Sequence, residues 1–326
     1  MESKMAKFSK TTEELIEGLR EQFLIPVENE FLSEPRQIVV QLRPPYKSLG
    51  EAFLHNLDSV ISTVTIPFTL VSSSVNYRHR VRLRTAECIR TLSLDMEDGE
   101  TEELLERRRE QHALKAAEKR MAEFAKSPKG VEMMVRDTCA FLRIGVEVGA
   151  LDVAAKNLLL QGVVLVWGSF EVLAHDLFVA YVNQTPKVVK TLIKDPVIRR
   201  KIFQLLRDPI EMLAEHDFDL SNSMGSVLAE RQDLSDLLTL KKILLATFAD
   251  NVSLREALSV RELWTLNQQR HLIVHRRGVV DKEYIEKTGR RDQIGSQLVI
   301  SPTTLEYYLA LIRDAGVALL QGIPAA

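Results

Sequence analysis

Between Leu151 and Val182 runs the most apolar stretch of the chain, and no other feature restricts the fold as much. Lys156, Gln161, Glu171 and His175 interrupt it too often for a membrane span, and it is far longer than an ordinary strand. A long, deeply buried helix satisfies both limits. Such a helix has to be wrapped by other elements, and the surrounding sequence supplies more helices.

From Val131 onward the pattern is almost wholly helical. Residues 131–148 are apolar on one face and stop at Gly149, a natural C-terminal breaker. The long helix is expected over 151–183, ending before Pro186, with shorter ones over 186–195, 197–206 and 233–248. Asp195-Pro196 separates the first two of these. Residues 254–275 read as one helix with Ser253 as N-cap and Glu256 completing a capping box. Arg276, Arg277 and Gly278 then place cations in the last turn and a glycine past it. Asp281 can cap a short helix ending before Gly289. Ser301-Pro302 opens a final helix to about Leu320, serine as cap and proline in the first turn. There is no internal repeat and no low-complexity tract.

The N-terminal part reads differently. Leu15, Leu19 and Phe23 recur at helical steps, with Pro26 kinking or ending that helix. Residues 36–43 (RQIVVQLR) are short, β-branched and closed by Pro44-Pro45, which predicts a strand. A helix over 48–60 and strands over 63–73 and 77–84 follow. On the last strand Arg78, Arg80, Arg82 and Arg84 would share one face, where four guanidinium forks could track the phosphates of an RNA. The same alternation also suits a solvated edge strand guarded by charge. Acidic residues 95–106 and basic residues 107–120 read as one exposed charged helix, stopping near Ser127-Pro128-Lys129-Gly130. The fold class expected is therefore mainly α, a C-terminal helical bundle preceded by a smaller α+β region. Its parts are an α+β module over 1–95, a charged connecting helix over 96–130 and a helical domain over 131–326.

At 326 residues the chain can hold one large or two ordinary domains with real cores, and a formal net charge of −2 argues against a broadly cationic nucleic-acid binder. Cys88 and Cys139 form no C-x-x-C pair and suit a reducing, cytoplasmic setting. The first residues, MESKMAKFSKTTEELIEGL, carry charges where a signal peptide needs an apolar core. No phosphate-binding glycine loop, dinucleotide turn or G-x-S-x-G elbow is present. His271 and His275 have zinc-ligand spacing, but the metalloprotease motif needs Glu at 272, where Leu stands. Neither a metal nor a cofactor is expected.

The chemistry concentrates in Arg270-His271-Leu272-Ile273-Val274-His275-Arg276-Arg277-Gly278, at a helix end, where side chains can leave a packed bundle. Histidine exchanges protons near neutral pH, and arginine stays cationic beside a phosphate whose charge grows in a transition state. Metal-free RNA cleavage by the neighbouring 2′-hydroxyl needs that pair. Five residues of ideal helix turn roughly 500°, so Arg270 and His275 sit about 140° apart around the axis. One copy makes a poor pocket. Two copies facing across a two-fold axis would form a compact one, which favours a homodimer.

The stretch RHLIVHRRGVVDKEYIEKTG resembles the R-x4–6-H signature of the HEPN superfamily, especially prokaryotic domains of the RiboL-PSP or MAE-like kind. Trp167-Gly168-Ser169-Phe170-Glu171, with Asn183 and Pro186 beyond it, is similar to the aromatic patch and acid on that family's long early helix. The resemblance covers roughly residues 131–326. It implies Arg270 and His275 as catalytic residues and Glu171 as the acid that orients Arg270 or His271. His271 stands where the family more often has Asn. It further implies endoribonuclease activity on RNA in a toxin, antiphage or stress setting, with a possible antitoxin or regulatory protein as partner. Catalytically silent, RNA- or protein-binding members of the family are the alternative. Arg276 and Arg277 would extend the RNA-binding rim.

Overall fold

The structure is a computed structural model that describes residues 8–24, 31–203, 213–229 and 236–323. In chain order its helices are α1 (Lys10–Leu19), α2 (Ser33–Gln41), α3 (Tyr46–Val64), α4 (Ile66–Thr91), α5 (Glu102–Lys126), α6 (Pro128–Glu147) and α7 (Asp152–Gln184). After a 3₁₀ turn at Pro186–Val188 come α8 (Val189–Leu192), α9 (Pro196–Phe203), α10 (Met224–Ala229), α11 (Leu237–Thr247) and α12 (Val252–Ala257). The last are α13 (Arg261–Arg276), α14 (Lys282–Thr288) and α15 (Pro302–Gln321). Among the described residues the only β pairing is an isolated antiparallel bridge, Val279 to Gln297.

The expected α+β region is thus helical, and the reason is where burial falls. At the cap of α2 and along it, Leu32, Pro35 and Val39 are buried, a spacing of three and four that only a helix presents to one neighbour. Gly50 of α3 leaves room for the Val39 isopropyl group, at a distance a side chain there would not allow. In α4, Val75, His79, Leu83 and Glu87 turn inward at every fourth residue. That stripe overrides the two-residue alternation of arginines, which are themselves good helix formers. Strand propensity gives way to tertiary packing at both places.

The chain divides into two compact units, Met1–Ile25 with Val64–Lys156, and Pro26–Thr63 with Asn157–Ala326. This division does not follow the expected cuts at 95 and 130. In the first unit α4, α5 and α6 pack on one another and α1 packs on α6. Its core holds Leu19, Phe23, Cys139, Leu142 and Ala155, with Phe68, Val71 and Leu151 against them. The charged helix is shorter than expected, because Thr101 caps it by accepting from the Leu104 N–H. Gly99 turns at φ 82°, and Glu97 and Glu100 fold back to bind Arg108 at 2.9 and 2.7 Å. Glu87, nearly buried, ties α4 to α5 through Arg120 at 2.7 Å.

In the second unit α7, from Asn157 onward, is the central rod. It is long and apolar enough to cross a bilayer by length and composition, yet half of its most apolar window is buried inside the protein. Trp167, Phe170, Leu177 and Phe178 are among its buried side chains. Helices α2 and α3 belong here. The Tyr46 hydroxyl donates to Gln184 at 2.8 Å, and the absent side chain of Gly316 on α15 leaves space that the Phe53 ring fills. The Pro26 kink, part of the 197–206 helix and the start of the 233–248 helix lie outside the described residues.

Candidate functional site

The helix expected over 254–275 is two helices, broken between Ala257 and Arg261. Asn251, not Ser253, is the cap: its side chain accepts from the Leu254 N–H at 2.9 Å and donates to the Ala318 carbonyl at 2.7 Å. The second of the two, α13, carries the motif. Past its end Gly278 is left-handed at φ 77° as expected, but the helix stops at Arg276 and Arg277, expected in the last turn, is itself left-handed at φ 54°. The Gly278 N–H closes the helix on the Leu272 carbonyl at 3.1 Å. A side chain at 278 would meet the Gln297 amide, which donates to the Arg277 carbonyl at 2.8 Å. Leu298 and Val280 add backbone bonds across the same turn. The motif's last turn is therefore pinned from beyond its end.

Asp281 caps α14 by accepting from the Tyr284 N–H at 2.8 Å and holds Arg276 at 3.5 Å. The other face of α13 is fixed by a buried polar network that the sequence reading did not single out. Gln269 donates to the Tyr284 hydroxyl at 3.2 Å and accepts from the Tyr308 hydroxyl at 2.9 Å. It links α13, α14 and α15. Burial pushes the Tyr308 phenol up to about 12 and raises the Tyr284 phenol as well. A glutamine between two apolar helical turns, with tyrosines downstream, was the available signal, but nothing local shows that it faces inward.

With α13 fixed in this way, Arg270 lies toward α7. Its guanidinium is 3.5 Å from the Glu171 carboxylate, the two side chains being 22% and 24% exposed. The next residue, His271, and His275 one turn beyond it lie ring against ring, with centroids 4.4 Å apart, and both are solvent-facing. Desolvation, then the neighbouring His275 imidazole, lowers the His271 pKa below the ordinary histidine value. The neutral ring is favoured, which makes His271 a proton acceptor near pH 7. Arg276 and Arg277 are exposed at the helix end.

Glu171, Arg270, His271, His275, Arg276 and Arg277 therefore belong to one unit. A fixed cation, two exchangeable protons and an oriented carboxylate can bind a phosphate and move protons beside it.

Other expected features have structural duties. Trp167 and Phe170 are buried and pack edge to face, 6.1 Å apart. Asn183 accepts from the Gly225 and Ser226 N–H groups at 2.6 and 3.3 Å and so holds the start of α10. His175 pairs with Asp176 at 2.9 Å. Arg78, Arg80, Arg82 and Arg84 belong to the other unit and do not share a face: on helix α4 they split into two pairs. No group of three metal-binding side chains occurs among the described residues. Comparison with protein-family models, curated proteins and solved structures finds no match to this chain, and what the site does rests on the chemistry of its own side chains.

Proposed function

We propose that the protein is a metal-independent endoribonuclease of the HEPN type, acting as a homodimer in a toxin, antiphage or stress setting. One observation carries the reading. Arg270, steadied by Glu171 at 3.5 Å, shares with the stacked His271 and His275 a helix end that the surrounding loops hold in place. Val172 and Val274, the chain neighbours of Glu171 and His275, are 48% and 47% exposed, which suits contact with a second copy.

In the proposed reaction the RNA's 2′-hydroxyl attacks the adjacent phosphorus while one His275 accepts its proton. The second copy's His275 returns a proton to the leaving 5′-oxygen, and Arg270 stabilises the charge on the pentacovalent phosphorus. His271, biased toward its neutral form, is suited to accept rather than donate. Products would be a 2′,3′-cyclic phosphate and a 5′-hydroxyl. Single-stranded RNA is favoured because its nucleotides can splay for in-line attack.

The test compares RNA cleavage by the parent, Arg270→Ala and His275→Ala with and without EDTA. Loss of at least about a hundredfold in both variants, unaffected by chelator, is expected for a lost acid–base or electrostatic group. Parental rates in both variants would overturn the assignment.

A second reading has its own observation. The Arg270–Glu171 pair also suits a catalytically silent, RNA- or protein-binding HEPN module in which Arg270 is structural. A folded dimer that cuts no RNA but loses stability in Glu171→Ala would favour that reading.

A further inference from the structure

The helical state of residues 78–84 turns an apparent stripe of arginines into two unlike pairs. At 100° per residue, positions four apart nearly coincide and positions two apart fall on roughly opposite flanks. Arg80 and Arg84 face α5 and are engaged, by Asn76 at 3.0 Å and Glu110 at 2.7 Å. Arg78 and Arg82 face α6 and line a hollow of about 280 Å³ between the two helices. Among the described residues neither forms an ion pair with a carboxylate. Arg78 instead lies over the Phe141 ring, its guanidinium carbon 4.5 Å from the centroid. Beside them His79 meets Asp137 at 3.3 Å, and Arg136 meets the other oxygen of that carboxylate at 3.1 Å. The one acid in the hollow is thus already neutralised, which leaves two guanidinium groups uncompensated.

We propose that this hollow binds a nucleotide through its phosphate. Arg82 and Arg78 supply the fork-shaped donors that match phosphate oxygens. The Arg78–Phe141 stack, with half-exposed Ile144 beside it, is the platform for the base, since bases stack on guanidinium planes and aromatic rings alike. His79, held by Asp137, completes the donor wall. The volume suits one nucleotide and excludes a duplex. The ligand is either a free nucleotide or one residue of a single strand, the shared chemistry being a phosphate next to a base. The proposal concerns binding in the first unit and stands apart from the cleavage reading.

The experiment measures binding to the full chain by calorimetry. Its probes are adenosine 5′-monophosphate, adenosine, inorganic phosphate, a short single-stranded DNA that lacks the 2′-hydroxyl needed for cleavage, and an acidic heptapeptide. The monophosphate should bind more tightly than either adenosine or inorganic phosphate alone. Arg82→Gln and Arg78→Gln should each weaken it at least about tenfold, the ratio one charge-assisted hydrogen bond carries. Arg84→Gln on the opposite flank should change it less than about twofold. Tighter binding of the strand, with the same dependence on Arg82, identifies nucleic acid as the source, and equal binding identifies the free nucleotide. No binding at millimolar monophosphate, an equal loss in Arg84→Gln, or a heptapeptide that binds as tightly would each overturn the proposal.

Discussion

Replacing Gln269 by methionine isolates the network that holds the motif helix. Methionine keeps the length and volume of the side chain, which is 1% exposed, so no large cavity opens. It removes one hydrogen bond from each of two buried phenols. The Tyr308 hydroxyl loses its acceptor at 2.9 Å and the Tyr284 hydroxyl its donor at 3.2 Å. Leaving a buried polar group unpaired costs about 1–3 kcal/mol. The longer bond belongs at the low end, and burying a thioether in place of an amide offsets part of the sum. The net loss expected is about 2–3 kcal/mol. For a unit of this size that lowers the melting temperature by about 4–12 °C.

Both tryptophans of the chain, Trp167 and Trp264, belong to the second unit, so intrinsic fluorescence in urea reports on its unfolding. Tyr308→Phe supplies the other edge of a double-mutant cycle. The double variant should cost about 1 kcal/mol less than the sum of the singles, because it removes both ends of one bond. A Gln269→Met midpoint within about 0.5 kcal/mol of the parent, or strict additivity, would refute the claim that this network fixes α13.

Three further outcomes are expected. In a histidine NMR titration, His271 should titrate below the ordinary value, and His275→Ala should move it partly back by removing one lowering neighbour, burial being the larger cause. Because its folded pKa is depressed, folding loses stability as pH falls from about 6.5 toward that value. An ordinary titration in the parent would contradict the partial desolvation. For Tyr308 the sign is opposite: its folded value of about 12 lies above the unfolded one, so stability present below about pH 10 is lost on going to pH 12. Alkaline urea melts of Tyr308→Phe should lack most of that slope, and a slope equal to the parent's would argue against it. Cys139 is fully buried, and burial pushes its thiol up to about 11. At neutral pH a thiol reagent should label Cys88 quickly and Cys139 only after unfolding, whereas two fast cysteines would contradict the packing of α6.

At most helix ends, where one turn of chain decides the outcome, local sequence sufficed, Ser253 being the exception because Asn251 caps that helix instead. Ser301 and Asp281 cap their helices as their side chains predict, Gly149 and Gly289 adopt the left-handed conformation that ends a helix, and the 151–183 helix is found over Asp152–Gln184. Caps and breakers act through bonds to residues two to four positions away, so nothing distant has to be known.

Only the tertiary structure decided the rest. RQIVVQLR and the alternating arginines carry two-residue patterns, and the partners that bury Val39 or Val75 come from other helices. Once that burial is available, the four-residue stripe prevails and strand becomes helix. The same holds for the division into units, since α2 and α3 join the C-terminal helices through Phe53 and Tyr46, whose partners Gly316 and Gln184 lie far along the sequence. In the candidate site the sequence itself points to Arg270, His271 and His275, which lie within six positions of one another, and Glu171 enters only through the family resemblance. The 3.5 Å approach of Glu171, ninety-nine positions earlier (270 − 171), and the fixing of α13 by Tyr284 and Tyr308 depend on how whole helices pack. Long-range contacts of that kind leave no periodic trace along the chain.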